Sequence, residues 1–265
     1  MLKKFRVVLM LLCCSLFLVG CGNTSSGNSV SEEKQPIELN ISAAASLKEV
    51  MADLETAYKK VADNVTLVVN YGGSGSLQQQ IEQGAPCDLF ISAGQKQMNT
   101  LKEKGLLVDE TTKDLVENDL VLITAKGVEI KSFDDLKNSD IKHIAVGDPG
   151  SVPAGKYADE VLVNTGIKDS ISDKLVFAKD VKEVLAWVAS GNADAGFVYL
   201  SDALNNSNVN VVKNVPEVNE HSPIIYPVSV IKDSKNIEEA KKFEDFLFTE
   251  EAQKIFEKYG YKANS

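Results

Sequence analysis

Cysteine is nearly missing from this chain. Of its four cysteines in 265 residues, Cys13, Cys14 and Cys21 sit at the N-terminus, and only Cys87 follows. A lone thiol closes no disulfide within a domain and builds no thiolate zinc site. Cys87, between Pro86 and Asp88 and just ahead of the strand-like DLFIS, reads as a small buried residue. Histidine is as scarce, with two residues. His143 precedes a strand and His221 lies in a loop, so no metal cluster and no histidine general base is expected. Adjacent tyrosines, which a ferric site would want, do not occur. Positive charge is also short. Without Lys3, Lys4 and Arg6 the chain keeps 25 basic against 38 acidic residues, a balance of −13. That excess disfavours nucleic acid and anionic membrane as partners. It does not exclude a small anion, because remote charges are screened beyond about 8–10 Å.

What is present begins with a leader. Lys3, Lys4 and Arg6 precede a short apolar run from Val7 to Val19, and Leu18-Val19-Gly20-Cys21 reads as a lipobox. The run is too short to span a bilayer comfortably, so residues 1–20 are expected to be a cleaved signal and Cys21 a lipidated N-terminus. Residues 21–35 (CGNTSSGNSVSEEKQ) hold almost no hydrophobes and are expected to form a flexible leash. Roughly 230 residues remain, enough for one large domain or two lobes.

Through that remainder, apolar strand-like runs alternate with segments of helical period. Ile37–Ile41, Thr66–Val69, Asp88–Ser92, Leu120–Thr124, Ile144–Val146, Lys174–Ala178 and Ala195–Tyr199 read as strands. Leu47, Val50, Met51, Leu54, Tyr58 and Val61 fall on one helical face. Tyr226–Ile231 reads as a further strand, and Ile237–Tyr259 as a helical pair ended by Gly260. Trp187, with Val184 and Val188, fits a core-facing helix. This alternation predicts an α/β fold with largely parallel sheets flanked by helices.

Four strand-to-helix junctions carry the functional signal. Ala43-Ala44-Ala45-Ser46 leads into a helix, and Ser46 with Glu49 spells a capping box. Gly72-Gly73-Ser74-Gly75-Ser76 allows close backbone approach and a sharp turn. Asp148-Pro149-Gly150-Ser151-Val152-Pro153-Ala154-Gly155 places Pro153 in a first helical turn. Lys179-Asp180-Val181 offers Asp180 as a cap, with Glu183 three positions on. Each junction by itself is ordinary capping. Converging, they would form an anion site from helix N-termini without lysine or arginine. Periodicity alone does not bring them together.

These blocks, in this order, resemble the molybdate-binding proteins of ABC importers, a family of type II periplasmic-type solute-binding proteins. The resemblance runs from about Ile37 to the C-terminus. It rests on AAASL at 43–47, GSGSLQQQIEQGAPCDLFISA at 73–93, AVGDPGSVPAGKYA at 145–158, AKDV at 178–181, GFVYLSDA at 196–203 and EEAQKIFEKYGY at 250–261. It implies a two-lobed periplasmic-binding-protein-like fold, each lobe a mixed, mostly parallel sheet with the ligand in the cleft between lobes. By position, Ser46 and Ser74 would bind a tetrahedral dianion through hydroxyl and N–H, Ala154 and Val181 through N–H, and Tyr199 through its phenol. The implied ligand is molybdate, with tungstate expected to bind too. The implied partner is a membrane permease, and a monomer without cofactor is expected. The 72–75 stretch is richer in glycine than the family's serine-rich loop. Lobe one is expected at 36–118 plus 231–265 and lobe two at 119–230, with hinge strands at Leu120–Thr124 and Tyr226–Ile231.

Other readings fare worse. Gly150 to Tyr157 nearly spells a P-loop, but Tyr157 replaces the magnesium-binding hydroxyl and Pro153 removes an N–H. Around Ser74 the G-x-S-x-G elbow fails at Ser76, so no enzyme is expected. Asp88, Asp148 and Asp202 would repel a dianion and are expected in turn and cap roles. A receptor for another tetrahedral oxyanion such as sulfate stays open, since only pocket size would separate it.

Overall fold

Strand propensity and burial together decide where the sheets form. The computed structural model describes residues 35–204, 206–213 and 215–263. The expected signal, Cys21 and the leash as far as residue 34 lie outside the described residues. In chain order the elements are β1 (Ile37–Ala44), α1 (Lys48–Tyr58), β2 (Val65–Gly72), α2 (Ser74–Glu82), β3 (Leu89–Ile91) and α3 (Gln95–Glu103). There follow β4 (Lys113–Asn118), β5 (Leu120–Ala125), β6 (Ile144–Gly147), α4 (Pro153–Asn164), β7 (Leu175–Ala178) and α5 (Val181–Ala189). The chain continues with β8 (Ala195–Tyr199), α6 (Leu200–Ala203), β9 (Val209–Val211), β10 (Ile224–Val230), α7 (Ile237–Leu247), α8 (Glu250–Lys258) and β11 (Lys262–Ala263).

Two sheets result, ordered β11-β4-β10-β3-β1-β2 and β7-β6-β8-β5-β9. Central strands are apolar throughout: Leu89, Phe90 and Ile91 of β3, and all of Ala195–Tyr199 in β8, are buried. The edge strand β2 alternates at its start, with Val65 and Leu67 in and Thr66 and Val68 out. Both sheets are mixed, but parallel pairing is confined to β2-β1-β3 and β7-β6-β8. The pairs formed by β4, β5, β9, β10 and β11 are antiparallel, so parallel pairing is less dominant than expected. Each of these parallel strands is followed by a helix or helical turn, and four of their C-terminal ends carry the four junctions.

The chain changes sheets at Asp119, the single residue between β4 and β5. It returns between β9 and β10. The boundary expected at 230 therefore moves: β10 pairs with β3 and β4 over its length and belongs to the first sheet. It bulges between Tyr226 and Pro227, where proline has no N–H for the ladder.

Helix α1 buries Val50, Met51, Leu54 and Tyr58 on one face, while Val61 lies past its end and is 61% exposed. Gly260, at φ +87°, closes α8 as a left-handed stop. Trp187 is half-buried against the core, and Cys87 is a buried free thiol whose pKa is raised by burial.

Gly155 lets α4 lie directly on β6. A Cβ there would meet the Gly147 carbonyl oxygen at 2.0 Å. Gly155→Ala should destabilise the protein by about 1–3 kcal/mol through overpacking, seen as a lower midpoint in urea unfolding with an unchanged slope.

Candidate functional site

The strand ends converge. One cavity, of about 200 Å³ of atom-free space, is lined by Ala44, Ala45, Ser46, Gly72, Gly73, Ser74, Ala93, Val152, Pro153, Ala154, Asp180, Val181 and Tyr199. All five residues singled out from the sequence are among them, drawn from both sheets. A larger hollow of about 1290 Å³ near Asp119, Leu200 and Lys262 is more open and has no such convergence of helix starts.

Three of the lining segments are helix N-termini. Ser74 opens α2, Pro153-Ala154 opens α4 and Val181 opens α5. First-turn N–H groups have no intrahelical acceptor, so those of Ser74, Ala154 and Val181 are oriented for an outside one. Pro153 stands at the first helical position, as expected. Asp180 caps α5 by accepting from the Glu183 N–H at 2.9 Å, while the Glu183 carboxylate accepts from the Lys179 N–H. That cap points the Asp180 carboxylate at its own helix.

The first junction differs from its expected form. Ser46 is no helix cap: it lies in a 3₁₀ turn, Ala45–Leu47, and Leu47 takes the cap position with no side-chain bond. The Ser46 hydroxyl instead pairs with the Tyr226 hydroxyl at 2.9 Å. Glu49, freed from capping, reaches Lys182 of α5. Lys182 also pairs with Asp202 at 2.7 Å. Asp202 thus serves as a buried counter-ion in place of the expected turn role. Its pKa is raised by burial, and Lys182 opposes that rise.

Among the lining residues, Asp180 carries the only carboxyl group, and none is Lys, Arg or His. The chain has no arginine beyond Arg6, so no guanidinium fork can grip an anion here. The donors are neutral. The Ser74 hydroxyl accepts from the Ala93 N–H at 3.0 Å, and Tyr199 donates to the Ala93 carbonyl at 3.4 Å. Burial holds the Tyr199 and Tyr226 phenols well above their ordinary pKa, so both stay protonated. Tyr226 was not among the sequence candidates, although its place before Pro227 marks a break in an otherwise regular strand.

Glycine in the 72–75 loop serves the opposing sheet's loops more than the turn. Neither Gly73 nor Gly75 has a positive φ. A Cβ on Gly73 would stand 2.7 Å from the Lys179 carbonyl oxygen, and one on Gly75 2.6 Å from that of Ser151. The Gly75 N–H donates to Ser151 O at 2.8 Å. Loops from the two sheets therefore touch backbone to backbone over the cavity.

This geometry suits a small, fully deprotonated anion. His143 and His221 do not line the cavity. Among the described residues no group of three or more His, Cys, Asp or Glu could hold a metal ion. No helix of the described residues is long and apolar enough to cross a membrane.

Residues 39–262 match the family model described as bacterial extracellular solute-binding protein. The chain belongs to that family. It is 40% identical over 265 residues to a provisionally named ABC transporter substrate-binding lipoprotein, YvgL, of Bacillus subtilis (strain 168), covering 99% of this chain and 100% of that one. It is 39% identical over 242 residues to the molybdate-binding protein ModA of Escherichia coli (strain K12), covering 89% and 92%. Among solved structures, the substrate-binding domain provisionally assigned to a molybdenum ABC transporter of Clostridium difficile is 66% identical. It superposes with a TM-score of 0.67 over 86% of this chain and 100% of that one. The family is one of solute-binding proteins, and the two-sheet α/β architecture agrees with it.

Gly75→Ala should wedge the two loops apart. Hydrogen exchange at residues 148–153 should quicken, while the buried strands β1 and β3 keep their protection.

Proposed function

We propose that this protein is an extracytoplasmic, lipid-anchored receptor that captures molybdate and hands it to the permease of an ABC importer. The observation that carries the reading is the meeting of three helix N-termini and the hydroxyls of Ser46, Ser74 and Tyr199 at one cavity with almost no ionised lining. The names of the relatives at 39% and 66% identity point to the same ligand.

Taking a bare dianion from water costs tens of kcal/mol by Born estimates. Seven donors, two each from Ser46 and Ser74 and one each from Ala154, Val181 and Tyr199, whose proton would turn from its long 3.4 Å contact with the Ala93 carbonyl to the anion, would return roughly 10–20 kcal/mol at about 1.5–3 kcal/mol each. Each helix terminus adds up to about 2 kcal/mol in favourable geometry. After ordering costs, nanomolar binding near −12 kcal/mol is within reach.

Such a site rejects hydrogen phosphate, whose proton finds no acceptor among groups that all donate. Sulfate carries no proton, so its exclusion rests on size, and tungstate binds with molybdate. The ligand leaves unchanged, because the site holds no nucleophile paired with a base. Anchoring through Cys21 and a monomeric state belong to the same proposal, and the lipoprotein name of the Bacillus relative supports the anchor.

Calorimetric titration of the protein with molybdate, tungstate, sulfate and phosphate should show tight binding of the first two only. Sulfate bound as strongly as molybdate would refute the specificity. Ser74→Ala should weaken molybdate by about 1.5–3 kcal/mol; an unchanged affinity would remove the Ser74 hydroxyl from the site.

A further inference from the structure

Behind the cavity lies a chain of hydrogen bonds whose direction can be worked out atom by atom. It starts at Asn118, which is buried at the end of β4, where the chain leaves the first sheet. The Asp119 N–H donates to Asn118 Oδ1 at 2.9 Å, which fixes the amide orientation. Nδ2 then has two protons to give. One goes to Ser201 Oγ at 2.8 Å, the other to the Tyr226 hydroxyl oxygen at 3.3 Å. Tyr226, fully buried, therefore receives a proton from Asn118 and keeps its own to donate. The hydroxyl 2.9 Å away is that of Ser46. If Tyr226 donates to Ser46 Oγ, the Ser46 proton is released toward the cavity.

The second serine is prepared in the same sense. Its oxygen accepts the Ala93 N–H, so its own proton is also free. Two further phenols stand near Tyr226: Tyr261, with its ring centroid 5.5 Å away and its hydroxyl donating to the Ser46 carbonyl, and Tyr199, with its centroid 5.7 Å away and its hydroxyl in hydrogen-bond contact with that of Tyr226.

We propose that Asn118 and Tyr226 are positioning residues: they occupy the acceptor side of Ser46 and so commit its hydroxyl to donating into the site. Neither lines the cavity. The inference deepens the molybdate reading and rests on it. It gives a local reason why the site favours a proton-free oxyanion, since each serine oxygen already accepts one hydrogen bond and turns its own proton to the guest.

The test is a double-mutant cycle on molybdate affinity, with Tyr226→Phe, Ser46→Ala and both together. Tyr226→Phe keeps the ring that packs edge-on to Tyr199 and Tyr261 and removes only the hydroxyl. We expect it to weaken molybdate roughly five- to tenfold in the otherwise native protein. In the Ser46→Ala background it should weaken binding less than about twofold, since little charged-bond energy remains to lose. A merely structural role for Tyr226 would lower affinity equally in both backgrounds and would overturn the proposal. So would coupling to Tyr199→Phe with none to Ser46→Ala. Failure of the wild-type protein to bind molybdate would sink the functional reading instead, so the two failures are distinguishable. Melting of each ligand-free variant identifies any that has lost its fold, and Asn118→Ala, which removes the same donor from further back, then takes its place in the cycle.

Discussion

Everything at the cavity depends on helix N-termini whose N–H groups lack partners of their own. A helix cannot satisfy its first-turn donors internally, and here the starts of α2, α4 and α5 bring that deficit to one place. The parallel strands make this possible. In β2-β1-β3 and β7-β6-β8 the strands run in common directions, so the turns that follow them emerge on one side of each sheet. The antiparallel strands complete the sheets, and β10 reaches the first of those turns through Tyr226. Fold and site are thus consequences of the same pairing choice.

The second constraint is neutrality. A lysine or arginine in the cavity would bind many anions with little regard for protonation. Hydroxyl and amide donors are more selective, because each has a fixed direction and an unmet donor costs free energy. The positive charge of Lys182, one residue after Val181, is held by Asp202 and Glu49. The field felt by a guest then comes mainly from peptide dipoles, which need no reorganisation when the guest arrives.

Much of this was legible in the sequence, for physical reasons that differ by residue. Asp180 and Pro153 act through neighbours within four positions, and local chemistry identified their roles. Ser46 was misread as a cap because the rival partner for its hydroxyl, Tyr226, stands 180 positions away. Its membership of the site came from the resemblance, which local chemistry could not supply. Strand β4 was overlooked because Lys113, Asp114 and Glu117 break its apolar pattern, and its pairing comes from β10 and β11, distant in sequence. Those same remote pairings moved the second lobe boundary. Asn118 drew no notice in the sequence, because nothing near it hinted that its amide would be buried and hydrogen-bonded on every side.

The crossing at Asp119 has a mechanical consequence. One strap between the sheets is a single residue long, with only a few backbone torsions to turn about, whereas the return path before β10 spans about a dozen residues, with Val215 and Val218 packed in the core. At Asp119 the two sheets can therefore separate least. Asn118 sits beside that crossing with one amide proton on Ser201, next to the second sheet, and the other on Tyr226 in the first. Its amide thus bonds to both sides at the place where the backbone already holds them closest.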